Sequence, residues 1–557
     1  MRPSYFETRS GNSVLAQGVL QEVISHGVAE FCVCPGARNA PLVYPLSYSN
    51  QVKIYYWPEE RSAAFFAIGR MKAIGGPVAV VTTSGTAAAE LLPAAMEAYY
   101  TGLPLVLITA DRPRRFRGTG APQSAEQVGL YGCYVSDMQD LADGDACCLD
   151  NWTQEGPIHL NLCFEEPNDS ECQTIRLEEG SIKKALVIPT ISCHGPKYQP
   201  YLSFLQKSRF PLVVIGAMAS ECREAAICFL LKVKAPLYAE AISGIREDAR
   251  LERLRIQRIE DIWATAAENG YPIDGILRLG GIPTARFWRD LEDKMDEVSV
   301  CSVSEHPFSG LTQGDLIHTS LASFFAWSEK EPSPDHYPYE EWKTKDQRAH
   351  QHLLRLFQEE PLAEASLIHH LSERIPFRSK VYLGNSLPIR EWDQAASYHA
   401  HHFQMACNRG VNGIDGQLAT FFGFCSSEQE NWAILGDLTV LYDLVAPWIT
   451  SQLSNISANI VIVNNGGGQI FSRMFSHPVF QNHHQLNFEP LADFWGLRYE
   501  RWQSIPDSIS PSHGGRLIEL IPNQKSTARF LKKYSSIRGE KSGDQNVGLA
   551  RIFRVTS

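Results

Sequence analysis

No apolar run in this chain approaches the roughly twenty residues that a membrane-crossing helix needs. The longest, such as 78–81 and 460–463, are strand-length, and residues 1–11 are polar, without the apolar centre of a secretory signal. The expectation is a protein with no membrane span that stays in the cytoplasm. Basic runs are missing as well. Lys and Arg number 51 against 62 Asp and Glu, a formal net charge of -11, so no cationic footprint for nucleic acid exists. The 13 cysteines are dispersed. Cys32 and Cys34 alternate along an apparent strand and Cys147 and Cys148 are adjacent; neither pair has zinc-knuckle or CxxC spacing, so reduced thiols are expected. The GxGxxG turn of a dinucleotide-binding Rossmann sheet is absent after the first strand. Short-period repeats and low-complexity tracts are also absent.

What is present is a long, well-packed composition. With 557 residues, 44% hydrophobic and 20% charged, the chain calls for two to four domains. Short β-branched runs alternate with helix-period segments, the pattern of α/β folds with parallel sheets. Strands are predicted over 30–34, 52–57, 78–82, 105–109 and 158–162. A second group covers 211–215, 236–240 and 275–279, and a third 381–383, 403–406, 432–435, 460–463 and 517–521. Polar and Pro-rich stretches at about 168–200 and 329–338 read as linkers. The fold expected is α/β, three domains with parallel sheets flanked by helices, over 1–185, 195–345 and 355–557.

In open parallel sheets ligands bind just beyond the carboxyl ends of strands, and the unusual residues fall there repeatedly. Cys34-Pro-Gly-Ala-Arg38, Trp57-Pro-Glu-Glu60-Arg61, Thr82-Thr-Ser84-Gly85-Thr86 and Ala110-Asp-Arg112-Pro113 follow the first strands. Gly384-Asn-Ser386, Asn408-Arg409-Gly410, Gly436-Asp437-Leu438 and Asn464-Asn465-Gly466-Gly467-Gly468 follow the last group. Any one of these is an ordinary turn composition; eight together suggest one ligand held between two blocks.

Gly436-Asp437-Leu438, 25 residues, then Asn464-Asn465 is the most informative spacing. The interval supplies a helix and the next strand, which returns the chain so that an Asp carboxylate and an Asn amide oxygen meet. A hard divalent cation takes such oxygen ligands and keeps phosphate oxygens in its shell. The glycines admit a diphosphate, and the helix start offers its positive end.

This segment resembles the metal and diphosphate motif of thiamine-diphosphate enzymes. Further motifs resemble one family among them, the menaquinone-pathway SEPHCHC synthases. These are Cys34-Pro-Gly-Ala-Arg-Asn-Ala-Pro41, Thr83-Ser-Gly-Thr86, Ala110-Asp-Arg-Pro113, Gly120-Ala-Pro-Gln123, Gly384-Asn-Ser-Leu-Pro-Ile-Arg390, Asn408-Arg-Gly-Val-Asn-Gly-Ile-Asp-Gly416 and Gly468-Gln-Ile-Phe-Ser472. They span nearly the whole chain, in order, and are weakest in the middle block.

The resemblance implies thiamine diphosphate with Mg²⁺ (or Mn²⁺), held by Asp437, the Asn465 side chain and the Gly467 carbonyl. Gly436, Leu438, Ser84, Gly85, Ile414, Ile470 and Phe471 would contact the cofactor. Glu60 would press its carboxylate against the aminopyrimidine ring to activate it, a role that an apolar site favours. The implied reaction decarboxylates 2-oxoglutarate and adds the succinyl unit to isochorismate. Arg38, Arg112, Arg286, Arg390 and Arg409 would bind the carboxylates through planar forks, with Ser386 and Gln123 adding hydrogen bonds. The resemblance also implies a homodimer or homotetramer with active sites at the subunit interface.

Two departures stand out. Ala37 occupies a position where the family has Ser, removing a hydroxyl beside Arg38, and the spacing of the metal motif is about one residue longer than the family's, which keeps Asn464 as an alternative ligand. Bland readings also stay open: Glu59 and Glu60 suit any helix start, a single Arg suits a surface ion pair, and Ile414 suits core packing. An acetolactate-synthase-like or decarboxylase-like enzyme, or a silent thiamine-fold binding subunit, are the rival functions.

Overall fold

The computed structural model describes residues 11–177, 196–331 and 337–537, apart from 473 and 476. Its strands form three sheets, parallel throughout. The first contains β1 (Glu30–Val33), β2 (Lys53–Tyr56), β3 (Val78–Thr82), β4 (Leu105–Asp111), β5 (Asp137–Leu141) and β6 (Ile158–Cys163), in the order β2-β1-β3-β4-β6-β5. The second contains β7 (Pro211–Ile215), β8 (Leu237–Ala239), β9 (Gly275–Leu279), β10 (Ser299–Ser304) and β11 (Asp315–His318), ordered β11-β10-β9-β7-β8. The third contains β12 (Lys380–Leu383), β13 (Gln404–Ala406), β14 (Glu430–Gly436), β15 (Ser457–Val463), β16 (Arg498–Trp502) and β17 (Gly514–Leu520), ordered β13-β12-β14-β15-β17-β16.

Inner strands such as β3, β4, β7 and β9 are buried at every residue. Parallel strands covered on both faces need such continuous apolar runs, which is why their sequences were legible. Each fully buried Val, Leu, Ile or Phe contributes about 1.5–3 kcal/mol of burial. Four strands were not anticipated: β5, β10, β11 and β16. β5 and β16 are polar edge strands (Asp-Met-Gln-Asp-Leu and Arg-Tyr-Glu-Arg-Trp), β11 is a short, part-exposed edge, and β10 interleaves Ser with Val and Cys.

Of the two expected linkers, 168–200 contains the short helix Asp169–Cys172 and the start of Gln199–Lys207; its stretch 178–195 lies outside the described residues. The second also has its centre, 332–336, outside them. Contacts divide the chain into two compact units: Met1–Pro189 with Asn408–Ser427 and Leu441–Asn455, and Thr190–Cys407 with Glu428–Val440 and Ile456–Ser557. The first sheet lies in the former; the other two lie in the latter. Among the described residues no helix is long and apolar enough to cross a membrane, and the described cysteines are free thiols.

Candidate active site

In the first unit, Arg38, Glu60, Ser84, Gly85 and Arg112 all follow the carboxyl ends of adjacent strands. Glu59 and Glu60 divide two jobs between them. Glu59 is the N-cap of helix Glu60–Ile74, and its carboxylate accepts from the Arg61 N–H at 3.0 Å and the Ser62 N–H at 2.9 Å. Capping by a side-chain oxygen satisfies helix donors that would otherwise lack partners. Glu60 is therefore not spent on the cap. Its carboxyl is half-buried, and burial, with smaller contributions from Glu59 and Glu90, raises its pKa above the ordinary carboxylate range. Behind it, residues 62–69 are buried, which excludes water from that side.

Arg38 is buried and already occupied. One nitrogen donates to the Phe164 carbonyl at 3.1 Å, the other to Glu166 Oε2 at 2.6 Å, and Glu166 is largely exposed. Arg112 lies with its guanidinium 5.9 Å from the Phe116 ring centroid, and its buried Nε has no hydrogen-bond partner among the described residues. The Ser84 hydroxyl is buried in the same condition. Gln123 is exposed, takes φ +57°, and sits against Gly85, where an added Cβ would meet its Cα at 3.5 Å. The Gly85 N–H donates to Gln127 Oε1 at 2.9 Å, and fully buried Gln127 is anchored in turn to Asn161.

The loop carrying Arg409 and Ile414 belongs to the same unit and is held by two acids that sequence reasoning missed. Buried Glu97 accepts from the Gly410 N–H and from the Val411 N–H at 3.1 Å. Buried Asp443 accepts from the Gly416 N–H at 2.8 Å and the Leu418 N–H at 2.9 Å. Burial pushes the Asp443 carboxyl up to about 6. Gly416 has φ +69°, and a Cβ there would enter the Phe65 ring. Neither acid lies in a recognisable motif, because each acts on backbone N–H groups hundreds of residues or one helix away.

In the second unit, β14 and β15 are neighbours and Gly436 pairs with Val463, so Asp437 and the Asn464–Gly468 turn meet at adjoining strand ends. Asp437 is buried; Oδ1 accepts from the Leu438 N–H at 2.7 Å, and Oδ2 accepts from Gly466 N–H at 3.0 Å and Gly467 N–H at 2.9 Å. His484 Nε2 lies 3.2 Å from Oδ2, a neighbour that no sequence spacing announced. The two asparagines differ sharply. The Asn464 amide donates to Glu519 Oε1 at 2.6 Å and to the Leu486 carbonyl at 2.9 Å. The Asn465 amide donates to Glu364 Oε1 at 2.9 Å, which leaves its buried Oδ1 without a hydrogen-bond partner among the described residues. Gly467 has φ +129°, and a Cβ would lie 2.4 Å from the Gln481 carbonyl oxygen; only glycine fits. Its own carbonyl accepts from the Gln469 N–H at 2.8 Å.

Gly436 and Leu438 flank Asp437, and there is room at Gly436, where an added Cβ meets nothing closer than 3.8 Å. Ile470 is half-buried and Phe471 is 39% exposed. Ser386 stands at the N-cap position of helix Leu387–Ala395 with φ +72° and no side-chain capping bond, and its carbonyl accepts from Arg390 at 2.5 Å. Such a backbone conformation is costly for a non-glycine residue and clusters at functional sites. Arg286 stands apart: it is about half exposed and lies 3.5 Å from Asp290 on its own helix turn.

A family model described as "Thiamine pyrophosphate enzyme, N-terminal TPP binding domain" matches residues 14–130. A 2-succinyl-5-enolpyruvyl-6-hydroxy-3-cyclohexene-1-carboxylate synthase of Bdellovibrio bacteriovorus is 42% identical over 533 residues, covering 94% of this chain and 98% of the relative. The chain belongs to this synthase family. Its relative in Akkermansia muciniphila is 34% identical, covering 92% and 97%, and the one in Lysinibacillus sphaericus 30% identical, covering 91% and 94%. A solved chain from Mycobacterium smegmatis, described as a candidate thiamin diphosphate-dependent enzyme, shares the fold with a TM-score of 0.62 at 13% identity, covering 92% of this chain and 99% of that one.

The strand-end residues fit the cofactor that the family model's description names. The Asp437 carboxylate offers roughly four lone pairs, and three N–H groups take three of them, leaving one on Oδ1. That lone pair and the orphaned Asn465 Oδ1 are the oxygen donors that a hard divalent ion selects. The turn's glycines leave room for a diphosphate.

Proposed function

We propose that this chain uses thiamine diphosphate and Mg²⁺ to decarboxylate 2-oxoglutarate and add the succinyl unit to isochorismate. The product would be the compound in its relatives' names. The observation that carries this reading is 42% identity running through 98% of a relative so named. Two features of the structure support it: the raised pKa of Glu60 and the donor set around Asp437.

Bound thiamine diphosphate supplies a carbon nucleophile that stabilises the charge left by decarboxylation. In this proposal the protein's own groups do the following. Glu60, kept off the helix cap by Glu59, shares a proton with the aminopyrimidine ring nitrogen; burial lowers the cost of that sharing. Asp437 and Asn465, with the Gly467 carbonyl, would hold the ion, and Gly436, Leu438, Ile470 and Phe471 would line the diphosphate site. Ser84, Gly85 and Ile414 would contact the cofactor.

Arg38, Arg112, Arg286, Arg390 and Arg409 receive carboxylates, and Gln123 and Ser386 orient them. For Arg38, an incoming carboxylate displaces exposed Glu166 from the fork. This exchange keeps the buried guanidinium neutralised throughout, and it does not depend on a hydroxyl at Ala37. The pyrimidine-binding, central and diphosphate-binding blocks are assigned to 1–185, 195–345 and 355–557. The assembly is assigned as a cytoplasmic homodimer or homotetramer with active sites at the subunit interface.

The test is product identification by mass after incubating the pure protein with thiamine diphosphate, Mg²⁺, 2-oxoglutarate and isochorismate. Product with pyruvate but not with 2-oxoglutarate would move the chain to an acetolactate-synthase-like chemistry. Absence of cofactor binding by calorimetry would make it a silent subunit.

A further inference from the structure

Away from the strand ends, helix Glu364–Arg374 carries His369, His370 and Glu373, with Glu373 four residues after His369 and three after His370, the spacings that make helix neighbours. Their ligating atoms all lie within 4.8 Å of one another. His369 Nε2 is 3.8 Å from Glu373 Oε1, and His370 Nδ1 is 3.8 Å from Glu373 Oε2. Tetrahedral zinc, with bonds of about 2.0–2.1 Å, needs neighbouring ligands about 3.4 Å apart, so small side-chain rotations close the set.

The His369 ring is prepared for this role. Its Nδ1 lies 2.8 Å from the Ala395 carbonyl oxygen, which only accepts, so Nδ1 carries the hydrogen and Nε2 presents its lone pair toward Glu373. A ligand histidine whose other nitrogen donates to a backbone carbonyl is oriented and made more basic. The ring also stacks on Phe357, with centroids 4.4 Å apart. Burial lowers the pKa of His369, outweighing the Ala395 hydrogen bond and Glu373, which raise it. The acids of the Asp111, Asp140 and Cys163 group are by contrast already paired with Arg117.

We propose that His369, His370 and Glu373 bind a borderline divalent transition-metal ion of the Zn²⁺ class, at a site separate from the oxygen-donor site of Asp437 and Asn465. Two imidazoles and one carboxylate select Zn²⁺, Co²⁺ or Ni²⁺ over Mg²⁺. The fourth position goes to water. The helix that carries the cluster begins at Glu364, the residue that holds the Asn465 amide, so an ion at its C-terminal half stiffens the element behind the cofactor loop.

The experiment uses full-length protein with thiamine diphosphate, saturating Mg²⁺ and alkylated thiols, because Cys133, Cys148 and Cys228 are exposed. Zn²⁺ is titrated by calorimetry, and Co²⁺ is followed by its visible absorption. The expected result is one Zn²⁺ equivalent that Mg²⁺ does not displace, with Co²⁺ bands of nitrogen and oxygen ligation. His370→Ala and Glu373→Gln, both at more exposed positions than His369, should each weaken binding by about tenfold or more with unchanged circular dichroism. Zinc binding that is equal in parent and both variants, or that Mg²⁺ abolishes, overturns the proposal.

Discussion

Asn464 and Asn465 are both candidates for the ion, and the structure separates them in a way that can be measured. Asn464→Ala removes amide donors to Glu519 and Leu486; Asn465→Ala removes a donor to Glu364 and the orphaned Oδ1. Glu519 is 2% exposed and Glu364 5%, so each substitution deprives a buried carboxylate of one charge-assisted hydrogen bond, worth about 1.5–3 kcal/mol. Asn464→Ala also loses the bond to the Leu486 carbonyl, so it carries the larger expected fold cost, which urea unfolding checks. The two variants differ in what they do to the ion. Losing a ligand oxygen should weaken binding by more than tenfold, over about 1.4 kcal/mol. Losing Asn464, whose amide faces away to Glu519, should change affinity less than about threefold. Mg²⁺ calorimetry at fixed thiamine diphosphate, with Mn²⁺ resonance as a second readout, measures both. A larger loss of metal affinity in Asn464→Ala than in Asn465→Ala would refute the lone-pair argument.

Glu60→Gln should nearly abolish turnover while thiamine diphosphate still binds by calorimetry; full activity in that variant removes the proposed activation step. Asp443 has a folded pKa of about 6 against an ordinary 3.8. A raised acid stabilises the fold below its unfolded value and loses that contribution as pH rises. The contribution of Asp443 to stability measured by urea should thus fall by about 2 kcal/mol between pH 4 and pH 6, and Asp443→Asn should remove that part of the slope; an identical slope in the variant counts against it. Glu97→Ala leaves the Gly410 and Val411 N–H groups without their acceptor and should cost about 1–3 kcal/mol, with KM for the carboxylate substrates rising through Arg409. Gly416→Ala drives a Cβ into the Phe65 ring and should destabilise by about 3 kcal/mol or more, read as a lowered urea midpoint.

Much of the fold was legible because inner parallel strands are apolar without interruption. β3, β7 and β9 have the boundaries that their β-branched runs suggest. The strands that escaped, β5, β10, β11 and β16, lie at sheet edges or mix polar with small apolar residues, so their stabilisation comes from a paired neighbour rather than from their own pattern. Strand-end residues were legible for a related reason: Gly, Asn and Asp at a strand terminus mark turns whose backbone has work to do. Glu97, Asp443 and His484 were not. Their effect is exerted on N–H groups or a carboxylate brought near only by the fold, and nothing in their own sequence surroundings distinguishes them from solvated side chains.

The two consecutive acids ahead of helix Glu60–Ile74 set a limit on the length of the turn that precedes them. Insertion or deletion of a single residue between β2 and that helix would hand the capping position to the wrong carboxylate and rotate the other by about 100° around the helix axis. This short turn should therefore tolerate changes of side chain at Pro58 far better than any change in residue count.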